Sequence, residues 1–202
     1  MATLIRDQQL VFVHIPKTGG SSISKWLKDY TISEYYRKHC TLDVAKEYWP
    51  NCKTSFCVIR NPYDWLVSWY AYEKRYIKDR IEQVNRGEIK HHKINKNKDN
   101  LDILYDKLNV LNQGFEKYAL TVNKEPQVNW AKNINIILRY ENLSNDFKQI
   151  QLILNCNKPL EKLNTSVRTN FEDYYDKKLK KLVHKKYRED FKLYEKVFDT
   201  RL

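Results

Sequence analysis

No apolar run in this chain approaches the ~18 residues of a membrane-spanning helix. The opening residues, MATLIRDQQ, hold no apolar core of the kind an export signal needs. Four cysteines are irregularly spaced and none forms a CxxC pair, which argues against a zinc site and for reduced thiols in a cytosol. Cys57 lies inside an apolar run and reads as a small core residue. No internal repeat is visible. Glycine is scarce: there are four, and two form the dipeptide Gly19-Gly20. Glycine is needed where backbone turns tightly or meets a ligand, so that dipeptide draws attention first.

What is present is charge and aromatic mass. The 202 residues carry 37 Lys and Arg against 25 Asp and Glu, a net charge of +12. Aromatic residues make up 13%, too many for a disordered chain. The length suits a single domain over residues 1–202 with a core that needs no disulfide or metal. A basic excess implies an anionic partner: nucleotide, nucleic acid, anionic glycan or membrane surface.

Residues 10–14 (LVFVH) read as a buried strand, and residues 54–59 (TSFCVI) and 134–138 (INIIL) as two more. After Gly20, the residues Ile23, Trp26, Leu27 and Tyr30 fall on one helix face, with Ser21 or Ser22 as its cap. Residues 42–49 form a short helix. Pro62 opens another, which runs into an exposed, charged segment over 71–100 and a mobile loop. Residues 101–122, 143–154 and 171–198 are also helical in pattern. Strands alternating with helices predict an α/β fold, a short central parallel sheet flanked by helices. In such folds ligands bind beyond the carboxyl ends of the strands, where the segments 15–22 and 60–68 lie.

The first of these segments is built for an anion. Gly19 and Gly20 let backbone N–H groups turn inward. The following helix adds its positive end. Lys17 adds a full charge, and Thr18, Ser21 and Ser22 add hydroxyls. It is not a Walker A loop, because Lys17 precedes both glycines instead of following the second. The plain alternative is a strand-to-helix turn with a cap. In the second segment Arg60 leaves a strand end and Ser68 follows on the helix, a fork and a hydroxyl suited to phosphate. The alternative there is a structural ion pair between Arg60 and Asp64. Two anion clamps at neighbouring strand ends suit a ligand with two separated phosphate groups.

PKTGGSS followed by RNPYDWLVSWY resembles the sulfotransferases that use 3′-phosphoadenosine 5′-phosphosulfate (PAPS), and among them the carbohydrate type. IILRYENLSNDF, LNTSVRTNFEDYY and the Pro126-Gln127…Trp130 element are similar to that family too, whereas residues 71–125 are not and read as an acceptor-specific insertion. The resemblance implies a P-loop-like sulfotransferase fold, PAPS as co-substrate, PAP as product and no metal. It implies that residues 17–22 (Lys17, Thr18, Gly19, Gly20, Ser21 and Ser22) bind the 5′-phosphosulfate. Arg60 and Ser68 would bind the 3′-phosphate, and Asn164, Ser166 and Arg168 sit in a loop closing over the nucleotide, Arg168 being its phosphate contact. Trp65 departs from the family, which usually has Arg there.

Sulfuryl transfer needs a leaving group neutralised and an acceptor hydroxyl deprotonated. Lys17 suits the first task. For the second, the segment KHCTLDVAKEYW resembles the family's histidine-base region and places His39 as base; its cationic neighbours favour a neutral imidazole able to accept a proton. Among the rivals, His14 reads as structural, His91 and His92 as solvated, and His184 as exposed. Glu141 reads as a loop holder, while Glu47 and Glu73 remain carboxylate alternatives. Residues 176–192 hold eight basic and three acidic residues, a solvated face or an attractor of anions. The expected partner is a carbohydrate or other hydroxyl-bearing acceptor, with an anionic one fitting the basic charge, in the cytoplasm of a bacterial or viral system. Two other readings stand beside this: a nucleotide kinase-like phosphoryl transferase, and a non-catalytic basic protein binding nucleotide or nucleic acid. No RNA- or DNA-recognition motif supports the last.

Overall fold

The computed structural model describes residues 2–36, 39–88, 100–163 and 168–199. The chain divides into two compact units. The first comprises Met1–Trp65, Lys124–Thr165 and Tyr187–Leu202; the second comprises Leu66–Asn123 and Ser166–Lys186.

The first unit holds a five-stranded sheet built from β1 (Ala2–Ile5), β2 (Leu10–Val13), β3 (Ser33–Tyr36), β4 (Thr54–Ile59) and β5 (Ile136–Arg139), in the order β3-β1-β2-β4-β5. The β2-β4-β5 half is the expected short central parallel sheet and matches the three apolar runs; β1 and β3 add antiparallel pairs beside it. β2 is covered on both faces, which is why it is apolar at every position. Its side chains alternate between two cores. Val11 and Val13 join Cys57, Ile59, Ala131 and Tyr194 on one face. Leu10 and Phe12 join Phe56, Val58, Leu138, Ile23, Trp26, Leu27 and Phe147 on the other. Cys57 is a fully buried core residue, as its apolar surroundings in the sequence suggest.

Helices α1 (Gly20–Tyr30), α2 (Leu42–Tyr48), α6 (Gln127–Ala131), α7 (Leu143–Asp146), α8 (Lys148–Ile153) and α10 (Arg188–Phe198) flank this sheet. Trp26 belongs to the core: its indole N–H donates to the Lys158 carbonyl at 2.8 Å and its ring meets Phe147 edge-on at 5.1 Å. The cap of α1 is Gly19, in the left-handed region at φ 82°, not Ser21 or Ser22. The Ser22 hydroxyl instead accepts from the Leu163 N–H at 2.9 Å.

Helix α3 (Pro62–Asn85) starts in the first unit and continues through the second, which otherwise holds α4 (Leu101–Asn112), α5 (Phe115–Thr121) and α9 (Lys177–Lys186). Its core is aromatic. Tyr70 packs on Phe115 and Tyr118, and Phe115 on Tyr174 and Tyr175. The Tyr70 hydroxyl donates to the Leu111 carbonyl at 2.9 Å, and the Tyr118 hydroxyl to Glu73 at 2.8 Å. Lys186 places its ammonium on the carbonyls of Ala119, Leu120 and Val122 where α5 ends, as a helix C-terminus favours. His184 on α9 is half-buried where exposure was expected. His91 and His92 lie outside the described residues. Among the described residues no helix is long and apolar enough to cross a membrane.

Candidate active site

Val13 pairs with Cys57 in parallel register, so β2 and β4 release their following loops at the same edge of the sheet. The loop after β2 runs from His14 to Gly19. Lys17 adopts φ 67° and Gly19 φ 82°, both left-handed, and α1 starts at once after Gly19. A left-handed residue leading into right-handed helix is the backbone form of an anion nest. The first turn of α1 has N–H groups with no intrahelical partner and carries no acidic residue. The Thr18 hydroxyl is fully buried and donates to the Ile15 carbonyl at 2.9 Å, so it is committed within the loop. Ser21 is exposed, Ser22 buried and Lys17 half-buried. The donor set fits a phosphate or phosphosulfate group.

Arg60 follows β4 directly and is 5% exposed. Its Nε and Nη2 both lie 2.7 Å from Asp64 Oδ2. Its Nη1 donates to the Lys17 carbonyl at 3.0 Å, and the guanidinium lies 4.0 Å over the Tyr140 ring. The ion pair raised as the structural alternative is therefore present, while the bond from Nη1 to the Lys17 carbonyl ties Arg60 to the glycine loop. Trp65, the departure from the family pattern, is buried and donates its indole N–H to the Pro16 carbonyl at 2.8 Å, a second tie between α3 and the same loop.

Three further residues support Arg60, and sequence patterns signalled two of them, Gln127 and Glu141. Gln127, from the Pro126-Gln127…Trp130 element, clasps the Arg60 backbone: its Oε1 accepts from the Arg60 N–H and its Nε2 donates to the Arg60 carbonyl, each at 2.9 Å. Asp190 accepts from the Gln127 and Val128 N–H groups at 2.9 and 2.8 Å and so caps α6. Glu141 accepts from the Asn61 N–H and the Tyr194 hydroxyl, each at 2.8 Å, and is a loop holder as expected. Burial is the main reason the Tyr194 phenol is held well above its ordinary range, with the Glu141 carboxylate adding to it.

Burial also pushes the Asp190 carboxyl up to about 6, although its two backbone N–H partners pull the other way. A carboxyl raised on folding favours the native state while it can stay protonated. Its contribution is whole below the ordinary value of 3.8 and is lost as pH rises through about 6. Wild-type stability is therefore expected to fall between those limits, by up to about 3 kcal/mol, relative to the slope of Asp190→Asn. Urea midpoints of both proteins across this range check it; parallel curves would count against the raised carboxyl.

His39 is half-buried with φ 59°. Its Nδ1 lies 3.1 Å from the His14 carbonyl oxygen, and its ring stands 5.0 Å from the His14 ring and 6.3 Å from Trp130. Thus Lys17, Arg60 and His39 all stand in the first unit, tied to the loop between His14 and Gly19. Ser68, on α3 and 4% exposed, and Arg168, half-buried, belong to the second unit. Asn164 and Ser166 lie outside the described residues. Glu73 accepts from Tyr118, and Glu47 is exposed on α2. Among the described residues no group of three or more His, Cys, Asp or Glu side chains is arranged to hold a metal ion.

A family model described as Sulfotransferase family matches residues 2–197, a span that runs through both units. No curated protein and no solved structure matches the chain.

Proposed function

The chain belongs to the sulfotransferase family, and on that premise we propose that it transfers the sulfuryl group of PAPS to a hydroxyl of a carbohydrate acceptor and releases PAP. The observation that carries this reading is the joined pair of cationic loops. Lys17 and Arg60 leave neighbouring parallel strands and are linked by the 3.0 Å hydrogen bond from Arg60 Nη1 to the Lys17 carbonyl.

PAPS, when bound, supplies the sulfuryl group and a nucleotide leaving group. Lys17 and the N–H groups of residues 18–21 would hold the 5′-phosphosulfate; the Ser22 N–H donates to the Gly19 carbonyl. Lys17 would neutralise the charge that grows on the bridging oxygen, an interaction strongest in the transition state. Arg60 would take the 3′-phosphate, with Ser68 and Arg168 as further contacts. Three of the five guanidinium N–H groups serve Asp64 and the Lys17 carbonyl; the other two suffice for a phosphate while Asp64 holds the fork in place. His39 would take the proton of the acceptor hydroxyl. Residues 71–125 would carry acceptor specificity, and the net charge of +12 favours an anionic acceptor.

Calorimetry with PAP, followed by a PAPS assay across glycans, phenols and peptides, tests the reading. PAP is expected to bind whether or not EDTA is present, and a glycan to gain mass equal to one sulfuryl group. Folded protein that ignores PAP would overturn it.

A further inference from the structure

We propose that the main-chain carbonyl of His14 holds His39 in a single tautomer, with the proton on Nδ1, so that Nε2 is the atom that takes the acceptor's proton. The proposal rests on reading His39 as the base. A carbonyl oxygen can only accept, so a hydrogen bond at the observed 3.1 Å requires an N–H on Nδ1. In a neutral imidazole the lone pair then belongs to Nε2.

The placement is over-determined by packing. A left-handed backbone at a residue other than glycine costs about 1 kcal/mol or more, and His39 keeps φ 59°. Its ring is flanked edge-on by His14 and Trp130. His14 is itself confined. Phe12 stacks on it at 5.8 Å, and its ring lies directly against the first residue of α1: a Cβ added to Gly20 would fall 1.9 Å from His14 Cδ2. Gly20 is therefore required by the imidazole as much as by the loop. His14 touches the start of the donor-side helix with its ring and orients the base with its carbonyl, which makes it a positioning residue between the two.

In the step this serves, the acceptor oxygen bonds to sulfur as the bridging sulfur–oxygen bond of PAPS breaks. The electron pair of that bond leaves on the 5′-phosphate oxygen of PAP, and the hydroxyl proton moves to Nε2, giving an imidazolium.

Long-range proton–nitrogen NMR on protein labelled with ¹⁵N at its five histidines tests this. The His39 signals are assigned by their loss in His39→Gln, or by labelled backbone correlations in wild type should that variant fail to fold. The expected pattern is a protonated Nδ1 and a lone-pair-bearing Nε2. His14→Ala removes the ring beside His39 and keeps the main-chain carbonyl. There the protonated Nδ1 is expected to persist while kcat falls about tenfold as the imidazole loses its packing partner, with PAP affinity within about threefold of wild type. A reversed or averaged tautomer in wild type overturns the proposal. So does loss of the Nδ1 proton in His14→Ala, where the carbonyl remains. The spectrum is independent of what the enzyme sulfates: a reversed tautomer with full turnover leaves the functional reading standing, and absent turnover with the expected tautomer sinks the function alone.

Discussion

Asp64→Ala is expected to lower the unfolding free energy by about 3–5 kcal/mol and to weaken PAP binding at least tenfold. Arg60 is 5% exposed, and Asp64 Oδ2 holds both its Nε and Nη2 at 2.7 Å. Removing the carboxylate strands a guanidinium in a place where water reaches it poorly, and an uncompensated buried charge costs far more than the pair contributes. Replacing both partners separates these effects. Arg60→Met with Asp64→Leu is expected to be more stable than Asp64→Ala alone, yet to bind PAP no better. Urea midpoints and calorimetry give the two readings. A loss below about 1 kcal/mol for Asp64→Ala would mean that Arg60 finds water or another partner, and the account of the clamp would fail.

Lys17→Ala is expected to reduce kcat with PAPS by about 10²–10³ while leaving the urea midpoint close to that of wild type. The left-handed backbone at position 17 burdens alanine as it burdens lysine, so the substitution isolates the ammonium from the turn that carries it. PAP affinity is expected to fall much less than kcat, since the charge that Lys17 is proposed to answer is largest while the sulfur–oxygen bond is breaking. A decrease smaller than tenfold in kcat would transfer the neutralising role to the N–H groups of the loop.

The parallel half of the sheet is legible in the amino-acid sequence because strands covered on both faces must be apolar throughout. LVFV and TSFCVI leave no other economical reading. β1 and β3 are not legible in the same way. ATLI is four residues long at the chain's start and is a strand through its pairing with β2 and β3; SEYY is a half-exposed edge that pairs with β1. The Arg60–Asp64 pair shows in the i, i+4 spacing. The support beneath it does not. Asp190 reaches Gln127 across 63 positions, and no local pattern marks an aspartate in the first turn of one helix as the cap of another. The cap of α1 was misplaced for a related reason: serine is the commoner cap, but the tight turn put a left-handed glycine there and drew the Ser22 hydroxyl away to Leu163. Scarce glycine, charge and strand ends mark the two loops in the sequence, and the link from His14 to His39 shows only in the structure.

Trp65 stands where the family usually has a cation, and its indole N–H rests on the Pro16 carbonyl inside the glycine loop. The substitution gives the protein a built-in optical probe. Indole emission responds to the polarity and hydrogen bonding of its surroundings, so a protein whose other four tryptophans are replaced by phenylalanine would report loop movement by fluorescence, with no dye attached.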